Sequence, residues 1–245
     1  MDNTKINILI PMAGAGSRFG SNFPPKPFVI INNKPMIELA IKSLSFRDNY
    51  NYIFYVRSEM IEDFKKLLFL NDYNYEIIEV KKLTEGCACT CLLGISKINN
   101  NNPAIIINCD QIMDWDGQKF IDFCINSNMD GVIVTYDSNS PKNSYVKLDD
   151  NGMVCETIEK KVISNLSTNG ISYWKHGKDF VESCAMMIAN NDRCNNEFYI
   201  APSYNYLIQN GKKIINYHID INQHHAVGTP EDLERYLIYA NNKIE

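Results

Sequence analysis

Residues 5–28 read KINILIPMAGAGSRFGSNFPPKPF, and the fold can be worked out from this stretch. Residues 5–11 are a short Ile- and Leu-rich run, the pattern of a strand buried on both faces. A glycine-rich turn follows at 12–20. Gly14, Ala15 and Gly16 carry little side chain, so the backbone there can approach a ligand closely and turn its N–H groups toward an anion. Arg18 lies on the same loop and can fork onto phosphate oxygens. Lys26 stands between Pro25 and Pro27, which stiffen the chain and pre-position the amine. The loop has no GKS or GKT, and Gly16 to Gly20 is the wrong spacing for GxGxxG, so it is neither a Walker loop nor a dinucleotide fingerprint. A plain glycine-rich β–α turn with surface cations is the competing reading.

Outward from this stretch, strand-like and helix-like patterns alternate. A helix is predicted over 35–47, a strand over 50–57, a helix over 58–70 and a strand over 75–81. Further helices are predicted over 89–98 and 117–128, and strands over 103–110 and 130–137. This β-α-β-α rhythm predicts an α/β fold of Rossmann-like type, a mixed, mostly parallel sheet flanked by helices. After 137 the rhythm changes. Residues 144–161 read as a hairpin around Asp150-Asn151-Gly152. A strand (169–175), two helices (178–190 and 201–211, the second closed by Gly211), a strand (212–220) and a helix (229–244, capped by Thr229 with Pro230 at its first position) complete the chain. No repeat, linker or domain break is visible. One domain over 1–245 is expected, with a first half at about 1–137 and a second half at about 138–245 that adds antiparallel elements around the ligand.

The 245 residues are 45% hydrophobic and 22% charged, enough apolar content for a full core. With 24 Lys and Arg against 29 Asp and Glu, the net charge is −5, which argues against a nucleic-acid partner. No apolar run reaches the ~18–20 residues that span a bilayer, and the N-terminal apolar stretch is too short for a signal peptide. A cytoplasmic protein without membrane contact is expected; a homodimer stays open. The eight cysteines contain no CxxC pair. Zinc on the Cys87/Cys89/Cys91 run would lack a nearby His, so reduced thiols acting as small apolar residues are the simpler reading. The abundance of Asn and Ile reflects coding bias rather than chemistry.

Four later blocks carry candidate chemistry. Thr84, Glu85, Gly86, Cys87, Ala88, Cys89 and Thr90 place small residues between a strand and a helix, where a flat base can lie against backbone. Asn108-Cys109-Asp110-Gln111 ends a buried strand, where open α/β sheets bind ligands, and Asp110 there can hold Mg²⁺ beside a triphosphate. Asp114 and Asp116 read as solvent-facing loop acids. Glu159-Lys160-Lys161 with Asn169-Gly170 form a charged pair facing a strand. Asn195-Asn196-Glu197 and His224-His225-Ala226 come last; partly buried or sugar-contacting imidazoles are favoured over a transition-metal site for the two histidines.

The blocks AGAGSRF, PKPF and NNKPMIELAI together resemble the signature of the sugar-phosphate nucleotidyltransferases, the NDP-sugar pyrophosphorylases, in a short single-domain form. About 245 residues is close to the minimum for that catalytic domain. The resemblance implies transfer of a nucleotide from an NTP to a sugar phosphate or polyol phosphate with release of pyrophosphate, Mg²⁺ as cofactor, and the product as an activated sugar for capsule or surface polysaccharide. It implies Arg18, Lys26 and Asp110 as catalytic residues, with Asp110 on the metal. Met12, Ala13, Gly14, Ala15, Gly16, Ser17, Thr84, Glu85, Gly86, Ala88, Cys89 and Asn108 would bind the nucleotide. Gln111, Glu159, Lys160, Asn169, Gly170, Asn196 and Glu197 would bind the acceptor, with Lys160 on its phosphate and Lys161 a near-equal rival. Relatives carry a second metal-binding aspartate where this chain has Ala226, and Glu197, Asp220 or His225 are candidates to replace it. The base loop lacks the longer Gln-bearing motif of thymidylyl- and uridylyltransferases, which leans toward a pyrimidine and weakly toward CTP. Two rivals remain: a nucleotide-sugar-dependent glycosyltransferase, and a nucleotide-binding paralogue without catalysis.

Overall fold

The structure is a computed structural model that describes residues 5–20, 22–44 and 49–243. Strand β1 (Ile6–Pro11) is buried along nearly its whole length, as its composition requires. Beyond the glycine loop, a ribbon of β2 (Ile30–Ile31) and β3 (Lys34–Pro35) turns on Asn32 and Asn33, whose φ of 48° and 65° match the left-handed turn that Asn tolerates. The chain continues through α1 (Met36–Lys42), β4 (Tyr50–Arg57), α2 (Ile61–Lys65), β5 (Tyr75–Val80), α3 (Cys87–Leu92) and α4 (Ile95–Ile98). Next come β6 (Ala104–Ile106), β7 (Gln111–Met113), α5 (Gly117–Asn126) and β8 (Gly131–Asp137). The hairpin of β9 (Ser144–Leu148) and β10 (Val154–Glu159) precedes β11 (Leu166–Trp174), α6 (Gly177–Ala189) and α7 (Ser203–Gln209). Strands β12 (Ile214–His218) and β13 (His224–Ala226) and helix α8 (Pro230–Asn242) end the fold.

The main sheet runs β5-β4-β1-β6-β11-β8-β12, and the β9–β10 hairpin joins the N-terminal half of β11 at Ser167 and Tyr145. Strand β11 is antiparallel to both of its central neighbours, β6 and β8, while β5, β4, β1 and β6 are mutually parallel and β12 is parallel to β8. The expected mixed, mostly parallel sheet is therefore present. Successive residues of β1 point to opposite cores: Ile8 and Ile10 pack with Phe54 and Phe64, whereas Leu9 packs with Tyr55, Trp174 and Tyr204. Helices cover both faces. Because β4 and β6 flank β1 in the same direction, the crevice opens at the carboxyl ends of β1 and β6, the switch point of the strand order.

Several element boundaries differ from expectation for identifiable reasons. The helix predicted over 58–70 is only α2, with a 3₁₀ turn on either side; Leu67 has ψ 113°, an extended value that turns Phe69 and Leu70 into the core. The helix predicted over 89–98 begins earlier, at Cys87, and breaks at Gly94. A Cβ at Gly94 would stand 2.5 Å from the Tyr55 hydroxyl, which donates to the Cys91 carbonyl at 2.8 Å. The strand predicted over 103–110 stops at Ile106, and the chain peels away to form β7, which pairs with β13 in a small sheet that was not expected. Residues 45–47 of the first predicted helix and residue 244 of the last lie outside the described residues. The Asp150-Asn151-Gly152 turn, the Gly211 helix end and the Thr229 cap are present as read.

Candidate active site

Lys26 and Asp110, 84 positions apart, meet at the crevice with Nζ 2.8 Å from Oδ2, their side chains 19% and 21% exposed. Asp110 is brought there by the departure of the chain from β6. Its carbonyl then accepts the Val227 N–H at 2.9 Å, which ties the β6–β7 connection to the end of β13. Lys26 opens a 3₁₀ turn over Lys26–Phe28, packed against the glycine loop at Gly16, whose φ of 62° is left-handed. Burial works against the Lys26 charge, yet the neighbouring Cys109 and Asp110 outweigh it and raise its pKa above the ordinary lysine value. At neutral pH the effective partner is Asp110, because burial pushes the Cys109 thiol up to about 11 and leaves it uncharged.

Two clefts flank this pair. The larger, about 570 Å³, lies within the usual size of small-molecule sites. Met12, Ala13, Gly14, Ala15, Gly16, Ser17, Lys26, Thr84 and Gly86, all expected on the nucleotide, line it. The second, about 280 Å³, is lined by Arg18, Asn108, Asp110, Gln111, Glu159, Asn169 and Gly170. Arg18 thus lies with the residues expected on the acceptor, as does Asn108. Glu197 lines the larger cleft rather than the second.

Five expected residues line neither cleft. Glu85 is exposed and pairs with Arg193. Ala88 and Cys89 fall on the wrong side of α3, because the helix starts at Cys87 and its phase presents Cys87 and Thr90 to the cleft instead; the Ala88 N–H is already given to the Phe198 carbonyl. Lys160 reaches the Tyr199 hydroxyl and stands over its ring, 4.1 Å from the centroid. Asn196 is a turn residue: Asn195 and Asn196, with φ of 49° and 63°, are enclosed by the mutual backbone bonds of Cys194 and Glu197.

Other lining residues went unread. Arg57 ends β4 at the same sheet edge as Asp110 and pairs with Glu59; the strand-end rule that singled out Asp110 could have found it. Tyr136, Lys142, Asn143, Ser144 and Asp232 line the second cleft without having been assigned a role, and His224, expected as a partly buried or sugar-contacting imidazole, lines it too. Two glycines shape the walls. Gly170, at φ 93° in the bulge of β11, abuts Asn108, whose Nδ2 would be 2.1 Å from an added Cβ. Gly86, at φ 122°, presses on the Phe198 backbone, 2.5 Å from an added Cβ. The Thr84 and Thr90 hydroxyls hydrogen-bond each other at 2.6 Å, and the one that accepts there is free to donate to the Gly86 carbonyl, 3.1 Å from Thr84 Oγ1 and 3.2 Å from Thr90 Oγ1, so this loop is braced internally.

Glu159 is mostly buried, and burial raises its pKa against the lowering effect of the Ser144 hydroxyl, which donates to it. The His224 ring lies against Tyr136, tilted by 30° with ring centroids 4.7 Å apart. Burial, and then His225, hold the His224 pKa down at about 4 from 6.5. Between those values the unfolded chain binds the proton and the folded one does not. This part of the stability is therefore complete above about pH 6.5 and is lost as pH falls toward 4, roughly 3 kcal/mol in all. Urea unfolding at pH 7.5 and pH 5 should show a steeper loss for wild type than for His224→Gln; parallel losses would refute the assignment.

Among the described residues no group of three or more His, Cys, Asp or Glu side chains is placed to hold a metal. None of the three candidates to replace the missing aspartate joins Asp110 in such a group. The Asp220 carboxylate caps its own turn by accepting the Asn222 N–H, the His225 ring lies tilted against Tyr239 with centroids 4.2 Å apart, and Glu197 lines the other cleft. One carboxylate, with substrate phosphates and water as the remaining ligands, is nevertheless the donor chemistry Mg²⁺ accepts, so Asp110 fits that ion and not a zinc site.

No helix among the described residues is long and apolar enough to cross a membrane. The Nucleotidyl transferase family profile matches residues 9–237. Comparison with curated proteins yields no match. Among solved structures, the nucleoside-diphosphate-sugar pyrophosphorylase from Vibrio cholerae RC9 superposes with a TM-score of 0.84 at 24% identity, covering 94% of this chain and 99% of the other. A UDP-glucose pyrophosphorylase complexed with UDP-glucose superposes with a TM-score of 0.80 at 18% identity, covering 98% of this chain and 99% of the other. At these identities the superpositions speak for the fold, whereas the profile match extends over nearly all of the sequence. The chain belongs to the nucleotidyl transferase family, and it is a nucleotidyltransferase.

Proposed function

We propose that this enzyme transfers a nucleoside monophosphate from an NTP to the phosphate of a sugar phosphate or polyol phosphate and releases pyrophosphate. The observation that carries this reading is the Lys26–Asp110 pair set between a cleft of nucleotide size and a smaller polar one. An acceptor phosphate oxygen attacks the α-phosphorus in line, and the bond to pyrophosphate breaks. No protein nucleophile is needed, since the attacking oxygen is already anionic, and catalysis is positioning plus charge neutralisation. The Gly14–Gly16 amides and Lys26 face the triphosphate. Asp110 holds Lys26 in place and would hold Mg²⁺, which when bound neutralises phosphate charge. The donor is a pyrimidine nucleotide, CTP first, on the ground that the Thr84–Thr90 loop is short and its hydroxyls are spent on bracing it. The enzyme acts in the cytoplasm, and its product feeds capsule or surface polysaccharide.

The test is a pyrophosphate-release screen of the common NTPs against sugar and polyol phosphates with Mg²⁺. Turnover of one pair supports the reading; consumption of a nucleotide sugar without pyrophosphate would support the glycosyltransferase instead. Gly228→Ala provides a sharper check on the pair. A Cβ there would lie 2.5 Å from Asp110 Oδ2, so the carboxylate must swing off Lys26. Turnover should drop about 10²-fold, as expected for a misplaced catalytic group, while the melting temperature moves by only a few degrees. An unchanged rate would show that the pair does not matter to the reaction.

A further inference from the structure

On the nucleotidyl-transfer reading, on which this inference rests, the acceptor enters the second cleft. At about 280 Å³ that cleft falls just short of the usual range for small-molecule sites. It does not end there. A further cavity of about 330 Å³ adjoins it, and His224, Ala226 and Asp232 line both. Ala226, exposed at the last position of β13, contributes only a methyl group to this shared wall.

The adjoining cavity is lined by the rings of His225, Tyr236 and Tyr239. The His225 and Tyr239 centroids are 4.2 Å apart, those of His225 and Tyr236 5.4 Å, and those of the two tyrosines 6.3 Å. Tyr236 and Tyr239 are three positions apart on α8 and so share one face of the helix. Tyr239 is fixed at its far end: its hydroxyl donates to Asp114 Oδ2 at 2.6 Å, and Lys243 pairs with the same carboxylate. Polar groups stand at the junction. The Asp232 carboxylate accepts from the Thr229 hydroxyl at 2.8 Å and pairs with Arg235 at 2.6 Å, which leaves lone pairs on the one and N–H donors on the other. Both histidines that line the cavity keep a buried ring nitrogen, Nδ1 of His224 and Nε2 of His225, without a hydrogen-bond partner among the described residues. Buried polar atoms left in this way are costly and call for a partner.

An aromatic wall with polar groups at its mouth suits a sugar ring. One face of such a ring is a patch of C–H groups, which packs on the negative face of an aromatic ring, and its rim carries hydroxyls for the carboxylate and guanidinium. A second anionic group is disfavoured there by the Asp232 carboxylate. We propose that this cavity is an additional subsite of the acceptor site, reached past Ala226, and that it holds a second sugar ring joined to the ring that carries the phosphate. The acceptor is then a phosphorylated saccharide longer than one ring.

The test measures binding apart from turnover. Glucose 1-phosphate, maltose 1-phosphate and isomaltose 1-phosphate are titrated calorimetrically with CTP present and Mg²⁺ chelated, so that nothing reacts. At least one of the two-ring phosphates should bind wild type fivefold or more tighter than glucose 1-phosphate, and saturation-transfer NMR should mark protons of its second ring. Ala226→Leu, which narrows the junction at an exposed position, and Tyr239→Ala, which removes part of the aromatic wall, should each abolish that gain. Both should leave the glucose 1-phosphate affinity within threefold of wild type. No gain from either second ring, or a gain that survives both substitutions, overturns the proposal. A gain that both variants abolish, with no pyrophosphate released from any NTP, would keep the subsite and sink the transfer reading. Pyrophosphate release from glucose 1-phosphate without a two-ring gain would do the reverse, and binding of none of the three would count against both.

Discussion

Replacing Lys26 by Met should lower the rate of pyrophosphate release about 10²–10³-fold, the usual cost of removing one preorganised charge from a site where charge develops. Met keeps most of the apolar stem and the contact with Gly16, so the loss falls on the ammonium. The NTP KM should change less than kcat if that charge matters most as pyrophosphate departs. Lys26→Arg should rescue only partly, because a planar fork does not occupy the place of a compact ammonium on Asp110 Oδ2. Steady-state kinetics of the three proteins decide the matter, and a Met variant within threefold of wild type would remove Lys26 from the mechanism. Stability should fall modestly, since the Asp110 carboxylate left behind is about one-fifth exposed and can recover hydration.

Asp110→Asn should be still more damaging, about 10³-fold or more. The change keeps the shape but removes the negative charge, and two consequences follow from one substitution. Lys26 loses the partner that holds its amine in place, and the carboxylate expected on Mg²⁺ is gone. Raising Mg²⁺ should not restore the rate, whereas a residue that served only to orient Lys26 would leave the Mg²⁺ dependence as in wild type. Comparing Mg²⁺ titrations of Asp110→Asn and Lys26→Met thus separates the two duties of the carboxylate. Full activity of Asp110→Asn at any Mg²⁺ concentration would overturn its assignment.

The sequence cue for Asp110 was local with a global meaning, a carboxylate just beyond a buried strand where α/β sheets open, and the structure sets that carboxylate beside Lys26 at the crevice although the strand itself stops at Ile106. The same cue was available for Arg57 at the end of β4. The Thr84–Thr90 loop does line the larger cleft, but through Thr84, Gly86, Cys87 and Thr90 rather than through Glu85, Ala88 and Cys89. Small residues marked the segment, yet the first residue of α3 set the helix phase, and that start depends on Gly86 meeting the Phe198 backbone more than a hundred positions away. Strands β7 and β13 were illegible because three residues give no periodicity to read.

By itself the sequence determined the layered α/β architecture, the glycine loop and a carboxylate just beyond a buried strand. Each of these follows from contiguous residues: apolar runs of strand length, helical spacing, small residues at a turn. Only the tertiary structure decided which of these groups share a cleft. It put Lys26 on Asp110 and moved Arg18 to the second cleft. It also turned Lys160 onto Tyr199. Such choices rest on pairings between residues tens of positions apart, where the direction of one side chain is set by packing and charge that no local window contains.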